Sequence, residues 1–245
     1  MRAFVLGVAL LAGCASAGKD DGFIGGHVDA PVGGQHDAPN NQQVDAKITP
    51  GVDAPVSVDA PAGPMTKILN QTTDQTVTVG SSVTCGNNTL GYTSANSWYR
   101  VFTPGVPGVY HVQHVDFAAQ EASAGDTVKV SVGTYAGAVG AATLNTGQMT
   151  PLISNVSVAV GATTTGEPLS ANTAVDIPAG ANMYVQIDTP DYSAGAQFFY
   201  IGASAGGETT AGYILATACS VNTPEKLTTA SATAGALILT VTGTY

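Results

Sequence analysis

Beyond position 65, apolar residues recur at every second position in several short runs. Val128, Val130 and Val132 alternate with Lys129 and Ser131, Met183, Val185 and Ile187 alternate with Tyr184, Gln186 and Asp188, and Leu237, Leu239 and Val241 repeat the pattern near the C-terminus. A period of two turns one set of side chains to a core and the other to solvent, which is the mark of a half-buried strand. The run 110–117 differs: Val112 lies on one parity and Val115 and Phe117 on the other, so it reads as a central or bulged strand. Together, β-branched and aromatic runs bounded by Gly, Pro, Asn, Ser and Thr predict ten strands, at 76–84, 98–102, 110–117, 127–135, 152–160, 174–177, 183–189, 197–201, 213–217 and 236–242. No ten-residue window shows helical apolar spacing. A segment of about 180 residues is ample for a self-supporting core, and the expected fold is all-β: an antiparallel two-sheet β-sandwich, jelly-roll-like, over residues 66–245.

The first 65 residues follow other patterns. Met1 and Arg2 give a short positive start, an apolar run of eight follows at 4–11, and Leu11-Ala12-Gly13-Cys14 closes the segment. The run is far short of the roughly 20 apolar residues of a membrane span, and reads instead as a signal peptide over 1–13. Small residues directly before a cysteine resemble the bacterial lipobox. That resemblance implies removal of the signal and acylation of Cys14, palmitate included, as the new first residue. Several acyl chains on one residue hold a protein stably at a bilayer, at roughly 0.8 kcal/mol per buried methylene. Ala15 and Ser16 lack the Asp that resembles an inner-membrane retention mark, so the expected location is the outer membrane, facing the periplasm or the exterior.

Residues 14–65 form the expected linker. Asp-Ala-Pro recurs at Asp29-Ala30-Pro31, Asp37-Ala38-Pro39, Asp53-Ala54-Pro55 and Asp59-Ala60-Pro61, with Asp45-Ala46-Lys47 as a degenerate copy. Few large apolar residues, many prolines and an excess of Asp over Lys predict a disordered, self-repelling stalk. Such a stalk would span on the order of 40 Å as a coil and up to roughly 155 Å as polyproline II. His27 and His36 within it have no fixed geometry with which to select a metal.

Charge and cysteine count narrow the chemistry. The chain carries 17 acidic against 7 basic residues, a net charge of −10, with no basic run, which excludes a phosphate-backbone binder. With Cys14 assigned to acylation, Cys85 and Cys219 are left as an even pair and are predicted to form a disulfide in an oxidising compartment. Such a bridge, enclosing more than a hundred residues, would contribute roughly 4–5 kcal/mol in the chain-entropy model.

Candidate sites were weighed by spacing. Gly202-Ala203-Ser204-Ala205-Gly206 matches the serine-hydrolase elbow, but that elbow needs a strand, a strained turn and a helix, and both domain histidines precede Ser204. A separation of three puts His111 and His114 on opposite faces of a regular strand, which disfavours a shared metal; only a bulge would gather His114, Asp116 and Glu121. Asp188 and Asp191 flank Thr189-Pro190 and are the calcium candidates. Arg100, alone in an aromatic strand, is expected to pair with Asp116 or Glu121. Trp98, Tyr99, Tyr92 and Phe102 are expected in the core, with a sugar-stacking platform as the alternative.

These segments, taken in order, carry a resemblance. Asn96-Ser97-Trp98-Tyr99-Arg100-Val101-Phe102, then Val115-Asp116-Phe117 with Glu121-Ala122, then 128–135, then Phe198-Phe199-Tyr200-Ile201-Gly202 and Gly212-Tyr213-Ile214 leading to Cys219, resemble an uncharacterised β-sandwich module of secreted bacterial proteins. The similarity covers about 160 residues, and Ala118-Ala119 departs from the glycine of that pattern. It implies the sandwich fold and a secreted setting, in which such modules accompany peptidases or surface-sorting signals, and it brings no catalytic residues.

The expectation from sequence is therefore a non-enzymatic lipoprotein, tethered to the membrane through Cys14, that displays a binding or structural β-sandwich without a cofactor. A protein or glycan ligand is unspecified. The alternatives are a carbohydrate- or calcium-assisted adhesion module, and a hydrolase whose site is assembled from loops.

Overall fold

The computed structural model describes residues 63–195 and 197–245. The predicted signal peptide, Cys14 and the stalk up to residue 62 lie outside the described residues. Strands appear in chain order as β1 (Thr66–Asn70), β2 (Gly86–Asn87), β3 (Tyr92–Thr93), β4 (Asn96–Phe102), β5 (Tyr110–Ala122), β6 (Asp126–Tyr135), β7 (Met149–Val160), β8 (Glu167–Ile177), β9 (Asn182–Thr189), β10 (Phe199–Ile201), β11 (Ala203–Ser204), β12 (Tyr213–Ala216), β13 (Val221–Lys226), β14 (Ala236–Leu237) and β15 (Leu239–Thr244). Among the described residues the one α-helix is the single turn α1 (Leu227–Ala230), and no helix is long and apolar enough to cross a membrane.

Two antiparallel sheets make the sandwich. The first runs β13-β12-β4-β9-β6-β7. The second is built on the long strand β5, with β8 along one edge and β15, itself flanked by β1, along the other. Ala119 pairs with both Glu167 of β8 and Ile201 of β10, so β10 lies on the β15 edge and continues it end to end. The chain crosses repeatedly between sheets, from β4 to β5, back to β6 and β7, over to β8 and back to β9, which is the jelly-roll-like connectivity expected.

The core lies where the alternating faces meet. Val128, Val130 and Val132 of β6, Met183, Val185 and Ile187 of β9 and Trp98 and Phe102 of β4 pack with Val112, Val115 and Phe117 of β5 and Leu239 and Val241 of β15 in one cluster. Trp98 meets Phe199 of the opposite sheet with ring centroids 5.9 Å apart and planes tilted by 56°, an arrangement favoured by the aromatic quadrupole. Cys85 and Cys219 are bonded, closing a separation of 134 residues.

β5 is both central and bulged. It pairs on two edges, and Gln113 is skipped in both ladders: Val112 and His114 face Val175 and Asn172 on one side, Gly243 and Thr242 on the other. The predicted strand 76–84 does not form. That segment is a loop turning at Gly80 (φ +86°), held by single contacts such as Thr78 N–H to the Ala203 carbonyl. Its β-branched composition stabilises a strand only where a neighbouring edge is free to pair, and β15 and β10 already occupy that side of β5. β1 and β13 were not expected. β1 has only Leu69 buried and so shows no alternation, and β13 contains Pro224, which reads against a strand and is tolerated because β13 is an edge.

Candidate functional site

The outer face of the six-stranded sheet carries a second, smaller core. Tyr99, Val101, Tyr135, Leu144, Tyr184 and Tyr213 pack together there, with each of the four tyrosines no more than 4% exposed. Tyr99 and Val101 occupy the parity of β4 opposite to Trp98 and Phe102, and Tyr184 stands opposite Gly133 in the β6–β9 ladder. A Cβ on Gly133 would fall 2.2 Å from the Thr150 carbonyl oxygen and 2.7 Å from the Tyr184 ring, so glycine is what lets the ring lie across β6. Burial pushes the Tyr99 phenol up to about 12.

The loop 136–148 folds over this cluster and is fastened to it. The Tyr213 hydroxyl donates to the Ala141 carbonyl at 2.8 Å, Leu144 N–H donates to the Pro224 carbonyl at 2.9 Å, and Thr143 bridges Glu225 of β13. The base of the loop closes through Ala136 N–H to the Gln148 carbonyl at 3.0 Å. A Cβ at Gly137 would stand 2.3 Å from Tyr135 Oη and 2.5 Å from Gln148 Oε1, so any larger residue there would have to displace those side chains. Between this loop and β13 lies an open cleft of about 490 Å³, within the range of small-ligand sites. Its floor is the buried Tyr135 and Leu144, Leu215 and Ala138 give it apolar surface, and Asn145, Gln148 and Asn222 bring side-chain amides to it. None of its twelve lining residues is charged.

The residues singled out from sequence are placed elsewhere. Arg100 points into the sandwich with its side chain fully buried, and its partner is Glu208 at 3.0 Å rather than Asp116 or Glu121. Its remaining N–H groups reach the Leu237 carbonyl, the Gln71 side-chain oxygen and the Thr210 carbonyl. Asp116 sits on the face of β5 turned away from the core into which Arg100 points. Burial pulls the guanidinium down to about 10, against the charge of Glu208, so it is charged at neutral pH. A buried guanidinium with this many partners is a structural hub joining β4 to two loops.

The bulge at Gln113 overturns the expectation for the histidines. By skipping one residue it puts His111, His114 and Asp116 on the same outward face of β5, each histidine beside a carboxylate: His111 Nδ1 is 2.7 Å from Asp176 Oδ1, and His114 Nε2 is 3.2 Å from Asp116 Oδ2. They nevertheless form two separate exposed pairs. No group of three His, Cys, Asp or Glu residues suited to a metal ion occurs among the described residues.

Ser204 of the Gly-x-Ser-x-Gly match is fully buried, paired with Ala236 in the short β11–β14 ladder, and its hydroxyl accepts Gly206 N–H at 3.3 Å. This is a ladder residue and not a strand-to-helix elbow. The calcium candidates are held apart by different partners. Asp188 lies on the outer sheet face, where it accepts Ser97 Oγ–H and both its oxygens accept the Gln186 amide, and burial raises its pKa. Asp191 sits in the following loop and accepts Ser193 N–H at 2.9 Å. Trp98, Tyr99 and Phe102 are core residues and Tyr92 is half-buried, so they make no platform. A half-buried aromatic pair lies elsewhere, Phe198 and Tyr200, with centroids 5.8 Å apart and planes tilted by 48°.

The cleft itself was not anticipated. Its walls come from residues some 75 positions apart, polar and unpatterned, and the one signal of it was the recurrence of tyrosine on the non-core parity of β4, β9 and β12.

No family model matches the chain, and no curated protein matches it. Among solved structures it is similar to the cysteine protease and lectin-like domains of Cwp84, a surface layer associated protein of Clostridium difficile, at 14% identity and a TM-score of 0.43, covering 62% of this chain and 32% of that one. A second structure, of clostridial cysteine protease Cwp84 after propeptide cleavage, gives 13% identity and 0.45 over 73% and 40% of the two chains. A third, of infectious bursal disease virus Gx strain, gives 11% identity and 0.27 over 74% and 36%. The chain thus spans 32% to 40% of the length of the solved chains it matches. At these identities and scores the likenesses carry no argument about activity.

Proposed function

We propose that this chain is a lipid-anchored display protein of the bacterial cell envelope, acylated at Cys14 and held to the outer membrane, whose disulfide-closed sandwich acts as a non-catalytic binding module. The observation that carries this reading is the Cys85–Cys219 bond. It matches an oxidising compartment and leaves Cys14, in its lipobox-like setting, as the third cysteine of the sequence. The module reading is supported by the use already made of the reactive-looking groups: Ser204 is in a ladder, Arg100 in a saturated hub, and the histidines in two separate exposed pairs.

Detergent-phase fractionation with intact mass, comparing the native chain with Cys14→Ser, tests the anchor. A diacylglyceryl mass in the detergent phase, lost in the variant together with release to the aqueous phase, is the expected result. An unacylated native chain in the aqueous phase overturns it.

A further inference from the structure

We infer that the cleft between loop 136–148 and β13 is a binding site for a neutral oligosaccharide; this deepens the reading of the domain as a binding module and rests on it. Three features of the cleft carry the inference. Its chemistry is uncharged throughout, in a chain of net charge −10. An ionic ligand would meet no counter-charge on these walls to offset the water it gives up. A neutral ligand has no such requirement.

Its polar groups are also of the right kind and have capacity to spare. A side-chain amide offers two donors and an acceptor, and a sugar hydroxyl both donates and accepts, so amides match adjacent hydroxyls in either orientation. Among the described residues the Gln148 side chain and the Thr146 hydroxyl make no hydrogen bond, the amide nitrogen of Asn145 makes none while its oxygen accepts Gly147 N–H, and Asn222 makes one long bond of 3.4 Å to the Ser220 carbonyl. The backbone of the same walls is spent internally, in the Leu144–Pro224 bond and the Thr143–Glu225 bridge. At Pro224 and Glu225 the outer edge of β13 is thus already taken by the loop, which disfavours addition of a peptide strand there, and the free groups are side chains.

Finally, the cleft is amphipathic in the way a pyranose is. Half-buried Leu215 and exposed Ala138 supply apolar surface for the C–H face of a ring over the buried Tyr135 and Leu144, and the amides stand on the rim where hydroxyls project. The frame is also fastened without a ligand, because the loop closes on Tyr135 at Gly137 and Tyr213 ties it down at Ala141. A preformed site avoids the ordering cost that weakens binding by loose loops.

The test is a titration of the full chain carrying Cys14→Ser, isotope-labelled, with cellohexaose, maltohexaose, xylohexaose and N-acetylchitohexaose, with oligogalacturonate as the anionic control and a Gly-Ser-Asn peptide as the neutral peptide control. Saturable shifts of the Gln148, Asn145 and Asn222 side-chain amide signals with at least one neutral oligosaccharide are expected. Gln148→Ala with Asn222→Ala should weaken that binding tenfold or more without moving Tm. The inference is overturned by silence of these amides towards all four neutral sugars, by a preference for oligogalacturonate or the peptide, or by shifts confined to Phe198 and Tyr200. Acylation is read separately by fractionation of the native chain, so loss of the sugar site and loss of the anchor are told apart.

Discussion

The two faces of the six-stranded sheet solve the same problem with different materials. The inner face buries aliphatic side chains against a second sheet: Val128, Val130 and Val132, and Met183, Val185 and Ile187, are fully shielded there. The outer face buries Tyr99, Tyr135, Tyr184 and Tyr213, and no second sheet covers them: loop 136–148 folds over part of the cluster, with Met149, Ala211 and Leu215 packed beside it. Aliphatic groups need only exclusion from water, which a second sheet provides along its whole length. Tyrosines bring a hydroxyl that can take a partner, and the backbone of the loop meets two of them: Ala141 accepts from Tyr213, and Asn145 N–H donates to Tyr135. A loop also leaves gaps, and the cleft is one of them.

The largest effect should come from cutting the bond that closes the inner core. Replacing Cys85 and Cys219 together by Ser is expected to cost about 4–5 kcal/mol, seen as a marked fall in Tm that reductant reproduces in the native chain. A reduced chain with unchanged Tm would mean that the core of the two sheets is self-sufficient. Next, Ile187→Ala on the inner face should cost about 3 kcal/mol by lost transfer and cavity formation, measured by denaturant unfolding. Tyr213→Phe on the outer face removes only the bond to Ala141 and should cost about 1 kcal/mol, with the loss concentrated as faster amide exchange in loop 136–148. If the two substitutions cost the same, the outer cluster is as integral to the fold as the inner one.

Alkaline pH acts on buried tyrosines of both clusters, Tyr99 in the outer one and Tyr110 and Tyr192 in the inner one. Burial raises Tyr99, Tyr110 and Tyr192 to about 12 from 10.0, so the folded state binds more protons than the unfolded chain in that interval. Their stabilisation is whole below pH 10 and is lost as pH rises towards about 12. Unfolding followed by circular dichroism should therefore begin above pH 10; ionisation of Tyr99, Tyr110 and Tyr192 themselves at pH 10 while the fold is intact, read from their individual ring signals, would contradict it. The smallest effect is expected at the rim. Gln148→Ala, exposed and unbonded, should change stability by less than about 0.5 kcal/mol.

The same contrast explains what could be read in the sequence. The inner face was legible because alternation is a local property: β6, β9 and β15 carry it in their own residues. The bulge at Gln113 was legible as a conflict of parity in β5, yet its effect on His111 and His114 was not, since a skipped residue reverses facing only once its position is known. The partner of Arg100 was missed for a related reason. Glu208 is 108 residues away in a loop, and nothing in local spacing distinguishes it from Asp116 or Glu121. The cleft depends on two loops meeting, and loop meetings leave no period.

The Cys85–Cys219 bond has a consequence for a domain exposed to proteases. Loop 136–148, the exposed wall of the cleft, lies wholly between the two bonded cysteines. A peptide bond hydrolysed there would open the chain without dividing the molecule, because the two pieces stay joined through sulfur. A clipped copy would migrate as two fragments only after reduction, and until then would remain a single particle in its place.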